Sequence, residues 1–315
     1  MDMSEQFTTQ SSRPPMALRG ELRLDEPMAR HVSWRAGGTA RRAYVPADLD
    51  DLCAFVATTP VAEPLVLVGL GSNLLVRDTG FEGTVIFTHG VLKAIRLEGR
   101  TIYAEAGVPS PKLARFAANH SHSGAEFMAG IPGTIGGALA MNAGCYGGET
   151  WQIVESVTTV DRQGRLRERT PAHYKIAYRQ VGLLDGSEEW FLAARFSLPR
   201  GNTEKSRAVI RRLLEQRIAA QPLGQPNAGS VFRNPPGDHA ARLIEACGLK
   251  GHVNGGAMIS DKHANFIVNR GQATAADIET LIELAAQTVR EKFSIVLEPE
   301  VRILGAAASV GGAYD

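Results

Sequence analysis

Phe127 to Gly148 reads FMAGIPGTIGGALAMNAGCYGG, a 22-residue run with no charged side chain, bounded by Glu126 and Glu149. Its length matches a membrane span, and Gly133 to Gly137 spells the G-x-x-x-G pattern of packed membrane helices. A span, however, must satisfy every backbone group inside a helix of mostly large apolar residues. Seven glycines and Pro132 break such a helix, and the membrane reading fails on them. Glycine permits positive φ and lets backbone N–H groups approach a phosphate with no Cβ in the way. The stretch therefore reads as backbone laid directly against a large ligand.

Upstream, Leu65–Val68 is a short, wholly apolar run, as expected of a strand buried on both faces. Gly69, Leu70, Gly71, Ser72, Asn73 and Leu74 follow it at once. They start like the G-x-G-x-x-G dinucleotide fingerprint, but the third glycine is missing and no amphipathic helix follows. A Rossmann unit is thereby excluded. Two readings stay open for this loop: a nest of N–H groups, with Ser72 and Asn73, around a diphosphate, or a plain hairpin turn.

Further out, the segment before Leu65 reads as a glycine turn, a strand near Ala43–Val45 and a helix capped by Asp48. Leu92–Leu97 and Thr101–Ala106 form an expected hairpin, followed by a helix from Ser110. Beyond the glycine-rich run, Ile153–Val160 and Trp190–Leu198 alternate as half-buried strands, with a loop or short helix between them at PAHYKIAYRQ. Helices are expected at Thr203–Ala220 and Ala240–Cys247, and strands at Ala257–Ile259 and Asn265–Val268. A long helix starts at the Thr274/Asp277 capping box, and a last strand covers Ser294–Leu304. This order predicts an α+β fold and not a doubly wound sheet.

With 315 residues, 44% of them hydrophobic, and a net charge of +1, the chain is long enough for two or three packed domains. It carries no electrostatic footprint for nucleic acid or an anionic membrane. Three scattered cysteines argue against a disulfide framework and for a cytoplasmic setting. Residues 1–19 and 306–315 read as tails. A metal site is not expected: His120-x-His122 has no cysteine or carboxylate at ligand spacing. Serine-hydrolase and P-loop patterns are absent. From spacing alone, Arg179 reads as a surface ion pair, Ser230 as a turn residue, and Glu300 as an exposed strand charge.

Several motifs together change that reading. GLGSNLLVRDTGFEG (69–83), EFMAGIPGTIGGALAMNAGCYGGE (126–149), Tyr178-Arg179, NAGSVFRNP (227–235), GGAMISDKHANFIVN (255–269) and LEPEVRILG (297–305) occur in this order. In this, residues 20 to 305 resemble the UDP-N-acetylenolpyruvoylglucosamine reductase (MurB) family. Ser230 follows Arg179 by only 51 positions, similar to the family's second type, which lacks a tyrosine-bearing substrate loop. The chain departs from the family pattern at Val181, where a serine is usual, and at Trp34 and Thr39.

The resemblance implies a two-part FAD-binding domain of the vanillyl-alcohol-oxidase type, at 20–88 and 89–220 plus 297–305, and a substrate-binding domain at 221–296. It implies non-covalent FAD, NADPH as reductant, and the enolpyruvyl ether of UDP-N-acetylglucosamine as substrate, in peptidoglycan precursor synthesis. A monomer is expected. Hydride would come from reduced flavin and the proton from Ser230, with Arg179 and Glu300 polarising the carboxylate. FAD contacts are expected from Gly69, Gly71, Ser72, Asn73 and Leu74. Others are expected from Gly130, Ile131, Pro132, Gly133 and Thr134, from Gly136, Gly137 and Ala138, and from Asn142 and Gly144. Asn234, Lys262, His263, Asn265, Arg217 and Arg302 are candidate UDP-sugar contacts, Arg217 reading equally as part of a solvated basic face. Two other classes compete: a flavin oxidase of similar fold with another substrate, and a non-catalytic nucleotide-sugar-binding module.

Overall fold

The computed structural model describes residues 17–307. Residues 1–16 and 308–315, the bulk of the expected tails, lie outside that range. Arg19 and Ala306, also assigned to tails, are tied down. The Arg19 N–H donates to Asp51 at 2.7 Å, and the Ala306 carbonyl accepts from the Thr79 hydroxyl at 3.0 Å.

The first unit holds β1 (Glu21–Pro27), β2 (Thr39–Val45), α1 (Leu49–Thr58), β3 (Leu65–Val68), β4 (Leu74–Val76) and β5 (Phe81–Phe87). Its sheet runs β1-β2-β5-β3, with β5 parallel to both β2 and β3. Neither β1 nor the first half of β2 is expected from the sequence: ELRLDEP and TARR are mostly polar, and Leu22 and Leu24 of β1 stay exposed. Asp48 accepts from the Asp51 N–H at 2.9 Å and starts α1 as expected. The loop at Gly69–Asn73 leaves the carboxyl end of β3, where ligands bind in sheets with parallel strands.

The second unit adds β6 (Ile95–Glu98), β7 (Thr101–Glu105), α2 (Ser110–Asn119), α3 (Ile135–Met141), β8 (Gly144–Cys145) and β9 (Gly148–Glu149). It continues with β10 (Val154–Asp161), β11 (Leu166–Arg169), β12 (Tyr174–Ala177), β13 (Gln180–Leu183), β14 (Glu189–Ser197) and α4 (Thr203–Ala220). An antiparallel sheet β11-β10-β14-β7-β6 packs on the helices, with Met128, Ile135, Leu139, Trp151 and Phe196 at its core. Two expectations change here. The glycine-rich run contains a short helix, α3, because Ile135, Ala138 and Leu139 share one buried face. PAHYKIAYRQ forms a short 3-10 turn followed by the β12–β13 hairpin, with Tyr174, Ile176, Val181 and Leu183 turned into the core.

The third unit comprises α5 (Ala240–Ala246), β15 (Val253–Asn254), β16 (Ala257–Ile259), β17 (Ile267–Asn269), α6 (Ala275–Phe293) and β18 (Arg302–Leu304). Its core includes Trp34 and Leu75 from the first unit. The Trp34 indole donates to the Ile267 carbonyl at 2.7 Å, and Asn269 donates back to the Trp34 carbonyl at 2.8 Å. Asp78 accepts from the N–H groups of Ala275 and Ala276 at the start of α6. Arg77 forks onto Glu279 from the same loop. Trp34 is therefore an anchor between units.

The closing strand is shorter than expected and sits elsewhere. Ser294 turns left-handed (φ 58°) to end α6, and Pro299 has no N–H to give a ladder. Only Arg302–Leu304 forms a strand, in parallel with β4, while Pro299 makes an isolated antiparallel bridge to Phe232. Residues 302–304 thus attach to the first unit and not the second, because β4 offers an edge and Leu304 packs against the first sheet's core, while Leu297 and Val301 are buried in the core of the third unit. Among the described residues, no helix is long and apolar enough to cross a membrane.

Candidate functional site

Arg179 occupies the tip of the β12–β13 hairpin in the left-handed region, at φ 56°. A non-glycine residue there costs on the order of 1–3 kcal/mol and persists only where surroundings fix it. Its guanidinium is engaged on every nitrogen. Nε donates to Glu300 Oε1 at 2.7 Å, Nη2 to the Gly144 carbonyl at 2.9 Å and Nη1 to the Asn142 carbonyl at 3.3 Å. The Tyr178 ring lies beneath it, 4.9 Å away.

Glu300 reaches this point because two loops hold its backbone. Its N–H donates to the Val231 carbonyl at 2.7 Å, and its carbonyl accepts from Asn73 Nδ2 at 3.0 Å. Arg302 N–H in turn reaches the Asn73 carbonyl. The Glu300 side chain is 12% exposed and that of Arg179 14%. Burial raises the Glu300 carboxyl above its ordinary value, against the pull of Arg179. Ser230 is the residue before Val231. Gly229, at φ 77° and bonded to Asn227 Oδ1, turns the chain into it. Asn265 then clamps Phe232, accepting its N–H at 3.0 Å and donating to its carbonyl at 2.8 Å.

The two glycine segments pack face to face below this pair. A Cβ on Gly69 would lie 2.2 Å from Thr134 Oγ1, and one on Gly133 2.9 Å from Ser72 Oγ. Among the described residues, the N–H groups of Leu70, Gly71, Ser72 and Asn73 donate to no backbone carbonyl. Free N–H groups on a loop where Cβ atoms would not fit suit a diphosphate, without lysine or arginine. Gly71 is the critical position: at φ 57°, a Cβ would sit 2.1 Å from the His31 carbonyl oxygen. Gly71→Ala is expected to fold with a lower denaturation midpoint and to lose at least tenfold in flavin retained per protein after dialysis, read from the absorbance spectrum; about 1–3 kcal/mol of strain carries that much.

Comparison with known proteins agrees with this geometry. Residues 40–169 match the FAD binding domain family model, and residues 221–304 match that of the UDP-N-acetylenolpyruvoylglucosamine reductase C-terminal domain. The UDP-N-acetylenolpyruvoylglucosamine reductase of Thiobacillus denitrificans is 59% identical over 302 residues, covering 91% of this chain and 93% of that one. The chain belongs to this reductase family. The corresponding reductase of Legionella pneumophila (strain Corby) is 54% identical over 291 residues, covering 92% of this chain and 94% of its own. The crystal structure of the Thermus caldophilus enzyme superposes with a TM-score of 0.77 at 33% identity, covering 91% of this chain and 99% of that one. As a family member, the chain is an oxidoreductase built on an FAD-binding domain and the reductase family's C-terminal domain.

Several of the expected contact residues have structural duties within the protein. Asn142 is buried and left-handed at the end of α3; its amide donates to Glu149 and to the Ala177 carbonyl and accepts from the Trp151 N–H. It grips the hairpin that carries Arg179. Asn265 is likewise occupied on Phe232, and Asn234 accepts from the Ala240 N–H at the start of α5. Asn73, expected at the cofactor, also tethers Glu300.

Lys262 donates to the Ile218 carbonyl near the end of α4 at 2.5 Å. Arg217, on that helix, bonds Gln221, and burial lowers its pKa. His263 stacks edge-on against Phe266, with its pKa also lowered by burial. Arg302 is exposed on β18. A cavity of about 480 Å³, lined by Gly144, Cys145, Glu149, Gln152, Tyr178 and Arg179, opens beside the Arg179 fork. Arg233 is a site residue that sequence reasoning passes over; it lies inside the quoted NAGSVFRNP motif, but nothing in the spacing shows which way it reaches.

Proposed function

We propose that this chain reduces the enolpyruvyl ether of UDP-N-acetylglucosamine to UDP-N-acetylmuramate, with NADPH as the electron source, for peptidoglycan precursor synthesis. It works as a cytoplasmic monomer, with FAD held between residues 20–88 and 89–220 and the UDP-sugar received by residues 221–296. The observation that carries this reading is the Arg179–Glu300 contact at 2.7 Å, with the glycine loops on one side and the Ser230 loop on the other. Family membership supports the same reading.

FAD, when bound, supplies the hydride delivered to the terminal enolpyruvyl carbon. The chain's own groups handle charge and protons. The N–H groups of Leu70 to Asn73 serve the cofactor's diphosphate, while Gly69, Leu74, Gly130 to Thr134 and Gly136 to Ala138 lay bare backbone against the cofactor, the N–H groups of Ile131, Gly136 and Ala138 being engaged within the protein. Arg179 faces the substrate carboxylate with a planar cation, stabilising the negative charge that grows there as the double bond is reduced. Glu300, whose carboxyl is raised by burial, aligns that guanidinium and polarises the same carboxylate. Ser230 gives its hydroxyl proton to the carbon next to the carboxylate. A serine is a weak acid, so this transfer needs a preorganised site and a strongly basic carbon. Lys262, Arg217, His263 and Arg302 contribute contacts to the nucleotide-sugar in this reading.

The test is a pair of anaerobic half-reactions. The purified protein is expected to be yellow, NADPH to bleach it, and the enolpyruvyl nucleotide-sugar to restore the colour. Reoxidation by oxygen alone would point to a flavin oxidase, and colourless protein to a binding module; either result ends this proposal.

A further inference from the structure

Arg179 and Glu300 meet between units of the fold, and a second guanidinium stands beside them. Arg233 leaves the Ser230 loop and crosses to the hairpin tip, where its Nη2 donates to the Arg179 carbonyl oxygen at 3.2 Å. Its own backbone N–H is fixed on the Glu298 carbonyl at 2.9 Å, and its Nη1 lies 3.4 Å from Glu298 Oε2. Nε is buried with no protein partner among the described residues. Arg233 thus spans from the segment carrying Ser230, past the segment carrying Glu300, to the backbone of Arg179.

We propose that Arg233 is a positioning residue of the reduction: it holds the left-handed backbone of Arg179 in place from the substrate domain and keeps a second positive charge beside Glu300. The hairpin tip is gripped at two points. Asn142 Nδ2 holds the Ala177 carbonyl from the FAD-binding side, at 3.2 Å. Arg233 holds the Arg179 carbonyl from the other side. A strained φ of 56° survives because both ends of the turn are fixed. The Arg179 fork then points at Glu300 only while the substrate domain sits where Arg233 can reach.

The charges that face Glu300 come from two elements: Arg179 on the hairpin and Arg233 on the Ser230 loop. The glycine-rich segment faces the Arg179 fork with the neutral carbonyls of Asn142 and Gly144, and the β3–β4 loop faces Glu300 with the neutral Asn73 amide. On its own segment, Glu298 pairs with Arg233. Burial opposes both arginines. Removing Arg233 therefore moves the Glu300 titration upward, whichever protonation state the reaction needs.

This inference rests on the assignment of Arg179 and Glu300 to the reductive step. The test compares Arg233→Met and Arg233→Lys with wild type as FAD-loaded enzymes. In Arg233→Met, bleaching by NADPH is expected to stay within twofold of wild type. Its reoxidation by the enolpyruvyl substrate is expected to slow about 10-fold to 100-fold, the cost of losing one positioned hydrogen bond to a charged group, with the titrating limb of that step moved to higher pH. In Arg233→Lys, which keeps the charge but not the planar reach, the limb is expected to remain in place while the rate falls. A turnover-independent arm follows the Glu300 carboxyl by carbon-13 NMR in oxidised enzyme, with Glu300→Gln to assign it; its titration is expected higher in Arg233→Met and unmoved in Arg233→Lys. Wild-type rates and an unmoved Glu300 in Arg233→Met overturn the inference, as does equal slowing of both half-reactions. Failure of wild type itself to reoxidise overturns the functional reading instead, and the NMR arm still decides the charge claim.

Discussion

Ser230→Ala is expected to leave bleaching by NADPH near the wild-type rate while slowing reoxidation by the enolpyruvyl substrate about 10²–10⁴-fold, the usual contribution of a positioned general acid. Stopped-flow absorbance of the two half-reactions, run separately, measures it. The asymmetry follows from where Ser230 sits. It lies on the loop that receives the Glu300 N–H through Val231, and the free N–H groups of the β3–β4 loop are on the other side of the Arg179–Glu300 pair. Its neighbours hold the backbone without its hydroxyl: Asn227 fixes Gly229, and Asn265 fixes Phe232 on both its polar groups. Removing one oxygen therefore leaves the loop in place and withdraws only the proton. Equal slowing of both half-reactions would show that Ser230 is not the donor.

Arg179→Met is expected to slow the substrate half-reaction about 10²–10³-fold, the loss that follows removal of one preorganised charge-stabilising group. Stability is expected to fall too, by less than the roughly 3–5 kcal/mol of a broken, fully buried pair. Glu300 escapes part of that penalty by taking up a proton. Its carboxyl is already raised by burial, and with Arg179 gone it rises further. The sign follows from the neutral form being favoured in the fold: the penalty is small at low pH and grows as pH climbs through the raised value. Urea denaturation across pH checks this. Arg179→Met combined with Glu300→Gln should be more stable at high pH than Arg179→Met alone.

Much of the fold is legible in the residues themselves, for local reasons. Thr203–Ala220 is bounded by Asn202, whose side chain accepts from Lys205, and Ala257–Ile259 by glycine. The Thr274/Asp277 capping box opens α6 as read. What is not legible depends on distant partners. The Tyr174–Leu183 segment looks like a loop because its polar and aromatic residues show no clean period; it becomes a hairpin by packing Tyr174 against Trp151 and Phe191. Arg302–Leu304 joins β4 across most of the chain length, a pairing no local pattern encodes.

The site divides in the same way. Arg179, Ser230 and Glu300 emerge from motif resemblance, whereas spacing leaves each as an ordinary surface residue. Their contacts were beyond either route. Asn142 gives no sign in the sequence that its left-handed turn aims the amide at the Ala177 carbonyl. Arg233 reads as one more charge until its reach to the Arg179 carbonyl is seen.

The parallel pairing of β18 with β4 also has a consequence for synthesis. The ribosome makes Arg302 228 residues after Leu74, so β4 waits through that interval for its partner strand. Until that strand emerges, Asn73 has no Glu300 carbonyl to hold, and Arg179 has no carboxylate to meet. An unfinished chain therefore cannot assemble the acid–arginine pair. Such long-range closure slows folding, and in return only a full-length chain carries a complete site.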